Sequence, residues 1–123
     1  MISDYGPAAL AFLGDGVFEL MVRERLMSSA RGGMRANTLH TLAVERVNAQ
    51  SQAAAYHALE QACSTEEADI LRRGRNANTA KAPKNISVEQ YRKATGIEAL
   101  FGWLYLRGET ARLRELFDIV WGE

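Results

Sequence analysis

Two carboxylates stand where a charge is out of place. Asp15 lies between Gly14 and Gly16 inside the largely apolar stretch 8–19, and Glu98 lies inside the apolar stretch 94–102, with Gly96 and Gly102 nearby. A charge in apolar surroundings is costly unless a cation, a metal ion or hydrogen-bond donors pair with it. Two chemistries satisfy such acids. If the two segments cross, the carboxylates share a divalent cation. Hard oxygen ligands suit magnesium, with manganese as a substitute, and leave positions for water and phosphate oxygens. Otherwise each acid is a structural group held by an arginine or by backbone donors, as perturbed acids in ion-pair networks often are. Glu19, one turn after Asp15, is either a further acid or a solvated partner for Arg23.

The second charged feature is the stretch 71–85, which carries Arg72, Arg73, Arg75, Lys81 and Lys84 and no acid. With Asn76, Asn78 and Asn85 as hydrogen bonders, it reads either as a loop that follows a phosphate backbone or as a solvated surface loop. The whole chain has 15 Lys+Arg and 15 Asp+Glu, so bulk charge carries no nucleic-acid signature. The local asymmetry matters more, because salt screens each field beyond about 8 Å.

Other chemistries are poorly supplied. His40 and His57 lack metal-ligand spacing. Cys63 is the one cysteine, which excludes an internal disulfide and a thiolate zinc site, and no histidine or base adjoins it to make a nucleophile. A lone cysteine fits a reducing, cytoplasmic setting. There is no Ser-His-Asp arrangement and no glycine-rich phosphate cradle, so no nucleotide cofactor is expected. No stretch has the length of a membrane span. The first basic residue is Arg23, so no secretory leader is expected at the N-terminus.

These residues have to be positioned by helices, because sustained period-2 stretches are absent and apolar residues recur at helical spacing. A chain of 123 residues, 47% hydrophobic, supports one domain over 1–123 with its own core. Helices are predicted over 7–28, 42–62, 64–73, 87–107 and 109–121, with a break at Gly32-Gly33, a short turn from Asn37 or Thr38 through His40, and a polar loop over 74–86. Ser64 with Glu67, and Ser87 with Gln90, have the spacing of capping boxes. Gly108 suits a helix C′ position. Trp103, Tyr105 and Trp121 fit core or interface better than a base-stacking platform. Each glycine inside a helix costs about 1 kcal/mol relative to alanine. Gly14, Gly16, Gly96 and Gly102 therefore call for close backbone approach, between helices or to a ligand.

The stretch 10–17, Leu-Ala-Phe-Leu-Gly-Asp-Gly-Val, resembles the signature helix of the ribonuclease III catalytic domain, and 98–106, Glu-Ala-Leu-Phe-Gly-Trp-Leu-Tyr-Leu, resembles its second acidic helix. Arg73-Gly74-Arg75-Asn76-Ala77, Pro83-Lys84-Asn85 and the short length look like the Mini-ribonuclease III branch of that family, a catalytic domain without a separate double-stranded-RNA-binding domain. The resemblance implies an all-α, homodimeric endonuclease-domain bundle. It implies a metal-dependent endoribonuclease that cuts double-stranded RNA and matures the precursor of the large-subunit (23S) ribosomal RNA. Asp15 and Glu98 would be the catalytic metal ligands, holding Mg2+ or Mn2+, with the ion activating a water. Arg72, Arg73, Arg75, Asn76, Lys81, Lys84 and Asn85 would grip RNA, and Phe12 would pack into the partner subunit. Two family acids are replaced here, by Ala11 and Thr95, which leaves more of the metal shell to waters and RNA phosphates. The alternative is a non-catalytic helical dimer of this type that binds structured RNA or a protein.

Overall fold

The computed structural model describes residues 4–30, 35–77 and 82–122; the break expected at Gly32-Gly33, and Asn78 and Lys81, lie outside them. Among the described residues the chain is all-helical, with α1 (Pro7–Ala30), α2 (Ala36–Val47), α3 (Ala49–Ala54), α4 (Tyr56–Ala62), α5 (Thr65–Ala77), α6 (Val88–Leu106) and α7 (Thr110–Trp121). The central element is α6, against which α1, α5 and α3 pack most extensively. Nine of its residues are buried, including Ile97, Ala99, Leu100, Phe101 and Leu104. Its apolar residues therefore run round most of its circumference, as expected of a helix enclosed by neighbours. Phe18 of α1 meets Phe101 of α6 and Phe117 of α7 edge to face, each at 5.6 Å between ring centroids. Such pairs add about 0.5–1.5 kcal/mol to the burial itself.

Local chemistry sets several helix ends as predicted. The Ser87 hydroxyl accepts from Gln90 N–H, and Gln90 Oε1 accepts from Ser87 N–H, so the capping box that opens α6 is closed. The same reciprocal pair forms between Ser64 and Glu67 at the start of α5. Glu67 is also gripped by Arg112, whose Nε and Nη2 donate to its two carboxylate oxygens at 2.8 and 2.7 Å. Those bonds hold the Glu67 carboxyl below its ordinary value. Gly108, at φ +71°, takes the left-handed turn after α6.

Three expectations change. The helix expected over 42–62 is three helices. Asn48 divides α2 from α3: its Nδ2 donates to the carbonyls of Val44 and Glu45, and its Oδ1 accepts from Ser51 N–H. One side chain thus caps the end of one helix and the start of the next. A second break at Ala55 separates α3 from α4. The turn expected from Asn37 or Thr38 is instead the first turns of α2. The polar loop expected from Gly74 begins later, because α5 runs on to Ala77. Gly74 sits inside α5 against α6, where a Cβ would lie 2.6 Å from Ala99 Cβ and 2.9 Å from Gly96 Cα. Packing against α6 holds glycine in helical form here, against its propensity.

Candidate active site

The site lies where α1 crosses α6. At that crossing both helices carry glycine. A Cβ on Gly14 would lie 1.6 Å from the Glu98 carbonyl oxygen, and one on Gly102 would lie 2.1 Å from the Leu10 carbonyl oxygen. No other residue type permits this approach of backbone to backbone. It brings the side chain next to Gly14, that of Asp15, against Glu98. Gly96 serves a different contact, with α5, where a Cβ would meet Leu71 O at 2.6 Å; Gly16 faces open space.

Glu98 is half-buried and Asp15 is exposed. The expectation that Asp15 is set within the core does not hold, because the apolar residues around it, Leu10, Ala11, Val17 and Phe18, turn to the other side of α1 and are buried. The cost of an unpartnered charge falls on Glu98 instead. Burial pushes its carboxyl up, and the hydrogen bond and like charge of Asp15 add to the rise, to about 8. The Gln52 side chain of α3 opposes it. Gln52 is 1% exposed, and its Nε2 nonetheless completes no hydrogen bond of good geometry.

Among the described residues, no three His, Cys, Asp or Glu side chains converge as a metal cluster. Ala11, where the resemblance implies an acid in the larger relatives, is buried in the core. Thr95, at the other such position, donates its hydroxyl to the Tyr91 carbonyl at 2.9 Å. Glu19 accepts from Arg23 at 2.9 Å on the exposed side of α1, so it is that arginine's partner. His40 and His57 are exposed on α2 and α4. Cys63 follows α4, and burial pushes its thiol to about 11, the wrong direction for a nucleophile.

The basic residues divide between helix and turn. Arg72, Arg73, Arg75 and Asn76 belong to α5, whereas Lys84 and Asn85 lie in the turn before α6. Arg72 and Arg73 share Asp69, at 2.6 and 3.4 Å, in exposed pairs that exchange readily for phosphate. The Arg75 guanidinium and the Lys93 ammonium each stand 5.8 Å from the ring centre of Tyr56, one turn after Gln52. Asn85 has φ 71°, and its carbonyl accepts from Gln50 Nε2 at 2.9 Å, which ties this turn to α3. Phe12 projects from α1 and is 85% exposed.

The sequence model of the Ribonuclease III domain matches residues 8–109, a span that contains both acids and the α1–α6 crossing. The chain belongs to the ribonuclease III family. Within that family it is similar to the Mini-ribonuclease 3 of Symbiobacterium thermophilum, 47% identical over 91% of this chain and 85% of the relative. It is also similar to that of Brevibacillus brevis, 40% identical over 95% and 89%. The crystal structure of a Fusobacterium nucleatum protein superposes with a TM-score of 0.84 at 31% identity, covering 95% of this chain and 92% of that one. As a ribonuclease III family member the chain is an endoribonuclease, with double-stranded RNA as its class of substrate. Gln52 was not singled out from the sequence. The sequence signal for it is slight, since it is one of two glutamines within the otherwise small-residue stretch 49–55.

Proposed function

We propose that Asp15 and Glu98 are the catalytic residues and hold a divalent cation, magnesium or manganese, for cleavage of double-stranded RNA. The observation that carries this reading is the contact of two carboxylates at the α1–α6 crossing, where burial and the neighbouring Asp15 push the Glu98 carboxyl up to about 8. Two like charges forced together are stabilised by a positive ion between them. The donor set fits such an ion: both ligands are hard oxygens, and the exposure of Asp15 leaves room for waters and phosphate oxygens to complete the shell. When bound, the cation supplies Lewis acidity, activating a water and neutralising charge on the scissile phosphate. The protein's own part is orientation. The backbone contact at Gly14 and Gly102 fixes where both carboxylates point, and α6, enclosed by its neighbours, gives Glu98 little freedom.

Arg72, Arg73, Arg75, Asn76, Lys84 and Asn85 line the end of α5 and the turn before α6 and are proposed to follow the RNA backbone, with Lys81 between them in the chain. Such contacts read A-form shape and not sequence. We further propose a homodimer in which Phe12 packs into the partner subunit, the two sites cutting one strand each. The precursor of 23S ribosomal RNA, in the cytoplasm, is the proposed substrate, and residues 1–123 act as one catalytic domain. No helix among the described residues is long and apolar enough to cross a membrane.

The test is cleavage of an RNA duplex and of a 23S precursor transcript in low-salt magnesium, with and without chelator. Wild type should cut both. Asp15→Asn and Glu98→Gln should each cut at least about a hundredfold more slowly while melting as folded proteins, a loss of roughly 2.7 kcal/mol of transition-state stabilisation. Normal cutting by either variant would remove that carboxylate from the site.

A further inference from the structure

Gln52 is a polar side chain that packing does not explain. It is 1% exposed, and its Nε2 is buried without a hydrogen bond. A buried donor left unpaired costs about 1–3 kcal/mol. Methionine or leucine would fill similar volume with no such cost, since volume-conserving swaps in a core are well tolerated. Helix capping does not account for it either: the cap of α3 is Asn48, and Ser51 bonds back to Glu45. Among the described residues, the other buried side-chain polar atom without a hydrogen bond, the Tyr56 hydroxyl, lies one turn further on, on the ring that Arg75 and Lys93 approach. Gln52 instead meets Glu98, to which α3 is brought by its packing against α6.

We propose that Gln52 is a positioning residue for Glu98: its Nε2–H donates to one carboxyl oxygen, and so fixes the orientation in which the other faces Asp15 and a divalent cation. This rests on the reading of Asp15 and Glu98 as a cation site. A carboxylate that gives one oxygen to a cation keeps a second oxygen that, half-buried, needs a donor. An amide supplies one without adding a charge that would compete with the cation. Partners of this kind set ligand orientation, and their loss typically lowers metal affinity or activity 10- to 100-fold.

The experiment is Mn2+ binding to the RNA-free protein, followed by the loss of the free-ion electron paramagnetic resonance signal, for wild type, Gln52→Met, Gln52→Leu and Glu98→Gln. Thermal melts in chelator and duplex-cleavage kinetics accompany it. Gln52→Met should melt at or above the wild-type temperature in chelator, bind Mn2+ about tenfold or more weakly, and lose kcat with KM for RNA within about twofold. Mn2+ affinity within twofold of wild type in Gln52→Met would overturn the proposal. So would unfolding of both the Met and Leu variants in chelator, which would make Gln52 a packing residue. If wild type binds Mn2+ no better than Glu98→Gln, the cation reading itself fails and takes the proposal with it.

Discussion

Glu98 is the group whose proton couples the site to stability. Its carboxyl is raised from about 4.5 to about 8 by burial first and by Asp15 second. Between those values the folded, cation-free protein holds a proton that the unfolded chain has lost. Stability must then fall as pH rises from about 4.5 through about 8. At about 1.4 kcal/mol per pKa unit the effect reaches a few kcal/mol. Urea denaturation in chelator should show this fall for wild type. Glu98→Gln, which resembles the protonated acid, should flatten the profile and be the more stable protein at pH 8. An equal slope in both proteins would place the strain elsewhere. The same reasoning predicts proton release when Mn2+ binds near neutral pH, because the cation must displace that proton.

At the scale of elements, glycines decide how near the helices come. Gly14→Ala and Gly102→Ala each place a Cβ within about 2 Å of a backbone carbonyl oxygen on the facing helix, and a backbone atom cannot swing aside as a flexible side chain can. Each should destabilise by about 3 kcal/mol or more, or abolish folding, since forced overpacking at a core contact costs 1–3 kcal/mol even where neighbours relax. Gly16→Ala is the control. It meets nothing within 4 Å and should stabilise α1 by about 0.5–1 kcal/mol through helix propensity. Thermal midpoints of the three variants check both statements. A stable Gly14→Ala would mean that the crossing is looser than its geometry. The element scale also explains the basic segment. With α5 continuing to Ala77, Arg72, Arg73 and Arg75 lie in the last turns of a helix, and their spacing is set by it.

For the whole molecule the net formal charge is zero, so attraction to RNA depends on where the cations are placed and not on their sum. Arg75→Ala and Lys84→Ala should weaken duplex binding across all RNA sequences. Each should reduce the slope of log affinity against log salt by about 1, the signature of one lost phosphate contact. An unchanged slope would remove that residue from the interface. The exposed Phe12 bears on assembly. Phe12→Glu should convert the proposed dimer to monomer by sedimentation velocity and uncouple the cutting of the two strands, with helical content unchanged. A wild-type monomer at assay concentration would dismiss the dimer.

What the sequence by itself determined was local. Two capping boxes and the glycine after α6 depend on residues within a turn or two of each other, and they are found where the chain predicts them. The Asn48 break was legible in the same way, as an asparagine three residues before a serine, but the alanine-rich stretch around it reads as continuous helix. Tertiary structure decided the rest, because it depends on which helix faces which. The α1–α6 crossing turned Asp15 outward and left Glu98 to bear the burial. The α5–α6 contact claimed Gly96 and carried helix through Gly74. The packing of α3 set Gln52 beside Glu98, a neighbour 46 residues away in the chain that no local pattern announces.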